Sequence, residues 1–126
     1  FWWRRVMASV ALAKPDGSYL RTDAILDLGS PATVVPKGMW EILSIEWLSR
    51  DHLGLGGFGR GAGTPGRLGR VALHVLDDQQ TSPRFEVPAF LLDDDSQPLI
   101  LGVEGLLTRA ALCCHAGRNE AYLEFD

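Results

Sequence analysis

The chain reads as short apolar runs separated by clusters of turn-forming residues. Residues 6–13 (VMASVALA) make a β-compatible run, followed by Lys14-Pro15-Asp16-Gly17, where Pro and Gly supply the dihedrals of a tight turn. Residues 19–26 read as the return strand of a hairpin that delivers the chain to Asp27. Thr33-Val34-Val35 is β-branched and predicts another short strand. From Pro36 to Trp47, the spacing of Met39, Trp40, Leu43 and Trp47 predicts a short helix entered through Pro36. Residues 71–76 (VALHVL) and 85–92 (FEVPAFLL) read as strands joined by the polar turn Asp77-Asp78-Gln79-Gln80. Asp93-Asp94-Asp95-Ser96 forms an acidic turn, and residues 98–101 a short apolar strand. Residues 103–110 suit one or two helical turns, and strand-like runs flank Ala116-Gly117-Arg118-Asn119.

Residues 52–69 break this pattern with eight glycines, at 54, 56, 57, 59, 61, 63, 66 and 69. So little side chain adds little to a core, and the backbone there has conformations closed to other residues, so a mobile loop or hairpin tip is expected. Many short strands, one or two brief helices and frequent turns predict an all-β, single-domain closed β-barrel over residues 1–126. Composition agrees: 126 residues, 46% hydrophobic and 22% charged, with fourteen glycines and seven prolines, is the balance of one turn-rich globular domain.

A net charge of −4 gives no electrostatic reason to expect a nucleic acid or an anionic membrane as partner. Arg60, Arg67 and Arg70 are separated by glycines without an aromatic ladder, so a solvated loop is the reading there. No apolar run approaches the roughly 20 residues of a spanning helix, and Phe1-Trp2-Trp3-Arg4-Arg5 lacks the form of a signal peptide. A chain beginning at Phe1 can be a piece of a longer protein. Cys113 and Cys114 are adjacent, which rules out the usual loop-closing bridge between distant segments; buried reduced thiols are expected, and with them a cytoplasmic setting.

Asp27 is the residue that asks for an explanation. It follows the apolar Ala24-Ile25-Leu26 and precedes Gly29, which would hold a carboxylate at the end of a buried strand. An ionised carboxylate in an apolar setting needs a partner or a network, so either a function or an Asp capping its own turn is implied.

Three spaced segments read together resemble the retropepsins, the retroviral-type aspartic proteases. Residues 24–30 (AILDLGS) with Thr33-Val34-Val35 look like that family's strand, Asp-Thr/Ser-Gly turn and following strand. Leu53-Gly54-Leu55-Gly56-Gly57-Phe58 looks like its glycine-rich flap tip, within a flap of about residues 52–70. Residues 99–107 (LILGVEGLL) are similar to its C-terminal apolar-Gly segment and short helix.

The resemblance implies a metal-independent, cofactor-free aspartic endopeptidase acting on peptides or proteins, with Asp27 catalytic, Leu28, Gly29 and Ser30 completing the turn, and Gly54, Leu55, Gly56, Gly57 and Phe58 covering substrate. With one such Asp per chain, it also implies a homodimer. Two carboxylates about 3 Å apart share one proton, so that one activates water and the other polarises the scissile carbonyl. Leu28 stands where the family has Thr or Ser, and Pro31 and Val103 where viral members carry an ion pair. A non-catalytic dimerisation or peptide-binding module on the same fold is therefore the alternative.

The remaining motifs read more plainly. Residues 54–59 satisfy G-x-G-x-x-G, but that motif needs a helix immediately after it, which residues 60–66 cannot start. His52, His74 and His115 are scattered, and Asp93, Asp94 and Asp95 lack a calcium-loop pattern. Trp40 and Trp47 read as packing residues, and Trp2 and Trp3 as a possible dimer contact.

Overall fold

The computed structural model describes residues 6–49, 51, 53–54, 65–115, 117 and 120–125. Strands β1 (Met7–Ala13) and β2 (Tyr19–Leu26) form the expected antiparallel hairpin, in register from Met7 opposite Ile25 to Ala13 opposite Tyr19. Its turn is closed locally. Gly17 adopts φ 85°, its N–H reaches Lys14 O at 3.2 Å, and Asp16 Oδ1 takes the Ser18 N–H at 2.9 Å. Strand β3 (Thr33–Val35) follows, then helix α1 (Lys37–Trp40), β4 (Glu46–Trp47), β5 (Leu53–Gly54), β6 (Pro65–Leu76), β7 (Phe85–Leu92) and β8 (Ile100–Leu101). A 3-10 turn (Leu107–Arg109) leads into β9 (Ala110–His115) and β10 (Glu120–Phe125), which pair in a separate two-stranded sheet.

The main sheet runs β1-β2-β8-β3-β7-β6-β4, and β1 also pairs with β6, from Ser9 opposite Leu76 to Leu12 opposite Leu73. The domain is thus mostly β, and its sheet returns on itself rather than ending in two free edges. The join at β8 is short, with Ile25 opposite Ile100 and Leu26 opposite Leu101 on one side and Val34 opposite Ile100 on the other. What is seen is a ring of pairings with a narrow waist; the closed barrel expected from the sequence is not established by it.

Alternation along the strands fills two apolar clusters. Val10, Leu12, Val71, Leu73, Phe85, Val87 and Leu91 belong to the larger one, and Val34, Phe90 and Leu92 to the smaller, with Leu68 and Ile100 packed against it. The apolar end of β7, from Ala89 to Leu92, is buried on both faces, which is why it reads as continuous rather than alternating.

Three expectations change. The helix after Pro36 stops at Trp40, and Trp47 lies on strand β4 with its side chain 40% exposed. Residues 65–70, placed in the loop by their glycines, are the first half of a twelve-residue strand. That half is shaped by its neighbour: a Cβ on Gly66 would meet Leu91 O at 2.5 Å and Phe90 Cε1 at 2.6 Å, and one on Gly69 would meet Leu91 Cδ1 at 2.8 Å. Glycine here makes room for β7, not for motion. Finally, Cys114 is exposed and Cys113 half-buried, so the pair is not the buried one expected.

Candidate active site

The chain leaves β2 at Leu26, turns through Asp27-Leu28-Gly29-Ser30, and enters β3 at Thr33. Between these strands lies β8, parallel to β2 and antiparallel to β3, although it follows them by more than sixty residues. The turn is therefore built across a strand that arrives from far along the chain.

Its hydrogen bonds record this. Asp27 N–H donates to Leu101 O at 3.1 Å, Ser30 N–H to Asp27 O at 3.2 Å, Val103 N–H to Ser30 O at 2.9 Å and Glu104 N–H to Pro31 O at 2.9 Å. The Asp27 carboxylate takes the Gly29 N–H on Oδ1 at 2.8 Å. Ser30 is buried and gives its hydroxyl to Ala32 O at 2.7 Å, which keeps it facing inward and away from solvent. Thr33 is fully buried, and its Oγ1 accepts the Gly102 N–H at 3.2 Å. Gly102 is a point of backbone contact: a Cβ there would lie 2.3 Å from the Ala32 carbonyl carbon and oxygen and 2.8 Å from Ser30 O. Only glycine fits, because main chain meets main chain.

The result is a rigidly tied turn that holds its first two side chains outward. Asp27 is exposed, not sunk at the end of a buried strand as its apolar neighbours imply, and Leu28 beside it is 62% exposed. One oxygen of this outward carboxylate is fixed by a backbone N–H, and among the described residues the other is left for water or a second group. Leu28 is the most exposed of the large apolar residues described. Leu28 offers no hydroxyl, so the outward side of the turn carries the Asp27 carboxylate and an aliphatic surface.

Of the other expected site residues, Gly54 lies on β5 opposite Pro65, and Leu53 lies opposite Gly66. This pairing brackets the glycine-rich segment, while Leu55, Gly56, Gly57 and Phe58 lie outside the described residues, as do Trp2, Trp3 and His52. The next described residues after the dinucleotide motif, from Pro65, belong to strand β6 and not to a helix.

His74 is accounted for by packing: its Nδ1 contacts Ser82 O at 2.9 Å and its ring meets Tyr19 edge-on. Asp95 takes the Gly38 N–H at 2.7 Å and Asp94 the Ser96 N–H at 3.0 Å, so this acidic turn secures the start of α1. No group of three or more His, Cys, Asp or Glu among the described residues is placed to hold a metal. No helix among them is long and apolar enough to cross a membrane.

Two features were not read from the sequence. The Thr33 hydroxyl bond joins residues 69 apart, and only the Gly of the 99–102 segment hints at a close approach there. The second is a cluster of Trp40, Trp47 and Arg67, whose members lie on three separate elements.

No family model matches the chain, and no curated protein does. Among solved structures it is similar to a retropepsin-like aspartic protease from Rickettsia conorii, at 14% identity and a TM-score of 0.47, over 98% of this chain and 99% of that one.

Proposed function

We propose that the chain is an aspartic endopeptidase that works as a homodimer, with Asp27 of each copy forming the catalytic pair. The observation that carries this reading is the Asp27 turn: an exposed carboxylate with one oxygen fixed by Gly29 N–H, on a loop tied to Leu101–Glu104 by backbone hydrogen bonds. Such ties supply what a two-carboxylate site needs, because a pair about 3 Å apart works only if neither member can swing away from the other.

One copy supplies one carboxylate. When two turns meet, the Coulomb repulsion between like charges at that separation retains one proton on the pair. The ionised member then takes a proton from a water between them while the protonated member donates to the peptide carbonyl. The exposed Leu28 supplies apolar surface next to Asp27 for that meeting. The separate β9–β10 hairpin has sheet edges not paired within the main sheet, a second surface suited to a partner copy.

Leu28 also favours a second reading. A hydroxyl at this place would satisfy polar backbone across the pair, and leucine cannot, which fits a dimeric peptide-binding module that does not cut.

The test is cleavage of a peptide library between about pH 4 and 7, the range in which a shared-proton pair operates, by wild type and by Asp27→Asn. The expected outcome is cleavage by wild type that falls at least about a thousandfold in the variant. Equal cleavage by both would remove Asp27 from the chemistry, and no cleavage by either selects the binding module. Sedimentation at the assay concentration should show a dimer.

A further inference from the structure

Arg67 and Arg70 lie three positions apart on β6, so they project from opposite faces. Arg70 has the partner expected of an arginine: its Nη1 reaches both carboxylate oxygens of Glu46 at 3.2 Å. Arg67 has no carboxylate among the described residues. Its guanidinium carbon lies 4.2 Å from the Trp47 ring centroid and 5.6 Å from that of Trp40. The indoles themselves meet edge to face at 5.6 Å. Trp40 is held by its Nε1–H, which donates to Leu92 O at 2.7 Å. Among the described residues, Arg67 Nε is a buried side-chain nitrogen with no hydrogen-bond partner.

Stacking on an indole satisfies the flat face of a guanidinium and leaves its N–H edges needing acceptors. Glu46 is engaged with Arg70, Asp95 with Gly38 N–H and Asp94 with Ser96 N–H, and Asp93 is not free either. Trp47 is 40% exposed, so one wall of the stack opens to solvent. A planar cation oriented by two aromatic walls, with no carboxylate partner among the described residues, is suited to binding an external carboxylate through its outer N–H groups.

We propose that Arg67, walled by Trp40 and Trp47, binds a carboxylate side chain of a bound peptide. The site rests on the peptide-processing reading above and adds a selectivity to it: a preference for an acidic residue at one substrate position. Its location fits. On the opposite face of β6, Leu68 packs against the Val34, Phe90 and Leu92 cluster, as does Ile100, the residue before Leu101, whose carbonyl takes the Asp27 N–H. One strand thus connects the cluster beside the Asp27 turn with the Arg67 stack.

The experiment uses Asp27→Asn, which binds without cutting, immobilised and offered pooled N-acetylated, C-amidated decapeptides. Each peptide carries a single Glu or the matching Gln. At one position Glu should be retained about tenfold over Gln, the scale of one charge-assisted hydrogen bond, and Arg67→Gln in the same background should abolish the difference. Equal retention of Glu and Gln peptides, or a Glu preference that survives Arg67→Gln, overturns the site.

A readout that needs no loss-of-charge variant is the Arg67 Nε–H resonance, assigned as the one lost in Arg67→Lys. It should move on addition of the retained Glu peptide and stay put with its Gln partner; an unmoved resonance is equally fatal. Failure of wild type to cut any peptide would defeat the peptidase reading while leaving this retention intact. Loss of the Glu preference with cutting intact would defeat this site alone.

Discussion

Two turns of this molecule look alike in composition and differ in what holds them. The turn after β1 and the turn after β2 each contain an exposed Asp whose carboxylate takes the N–H two residues on, Ser18 for Asp16 and Gly29 for Asp27. The first is otherwise closed by its own neighbours, with Gly17 N–H on Lys14 O and Lys14 N–H on Ser18 O. The second is tied by Leu101, Gly102, Val103 and Glu104, residues brought from the far end of the chain. A connecting turn needs only the first arrangement. Long-range ties on a short exposed loop fix the position of its side chains, which is what a catalytic or docking carboxylate requires.

The comparison breaks most severely at its glycines. Gly102→Ala puts a methyl 2.3 Å from the Ala32 carbonyl, a main-chain clash that no rotamer relieves. The expected loss is at least about 3 kcal/mol, beyond the usual cost of overpacking because backbone must move, read as a fall in the urea midpoint and as loss of any Asp27-dependent activity. Gly17→Ala meets nothing within 4 Å and is strained only by its φ of 85°, so its cost should stay near about 1 kcal/mol with activity unchanged. Equal effects of the two substitutions would mean that the turns are held alike.

A smaller perturbation isolates a single tie. Thr33→Val keeps the shape of a fully buried side chain and removes the acceptor for Gly102 N–H. Leaving that donor unsatisfied should cost about 1–3 kcal/mol, and Thr33→Ser should recover most of it. A neutral Thr33→Val would show that the 3.2 Å contact contributes nothing to holding β8 beside the turn.

How far the sequence leads follows from the same contrast between local and distant causes. β1, β2, β3 and β7 were legible because β-branched and apolar runs bounded by Pro, Gly and Asp specify strands locally. Local glycine content misdirected the reading of residues 65–70, since what makes them a strand is the space that Phe90 and Leu91 occupy on β7. The helix after Pro36 was overextended for a similar reason: Trp47 has helical spacing from Trp40, but pairing of Glu46 with Arg70 and of Trp47 with Gly69 takes it into the sheet. Asp27 and its turn were identified from residues alone, but its exposure was not. Nothing in Ala24-Ile25-Leu26 says that the chain emerges from the core one residue later. The Arg67 stack was invisible, because three elements must meet before a guanidinium finds two indoles.

The gentlest test of the comparison is acid, which acts on the locally held turns. Asp16 sits below its ordinary value of about 3.8, chiefly through the Ser18 hydroxyl and then the Ser18 N–H. Asp77 is lowered by the Gln79 and Gln80 N–H groups, and Asp94 by the Ser96 hydroxyl and N–H. A carboxylate whose folded pKa lies below its unfolded one adds stability above the unfolded value, and that stability fades as pH falls through the folded value. Thermal stability should therefore decline as pH drops below about 3.8, the ordinary value of these groups. Asp77→Asn should lower Tm slightly at pH 7 and meet the wild-type curve at the acid end, where the native carboxylate is protonated too. A Tm difference that stays constant across the titration would show that Asp77 holds its turn by shape and not by charge. In that case a locally closed Asp turn would be held by geometry alone, and the distant ties from β8 would still set the Asp27 turn apart.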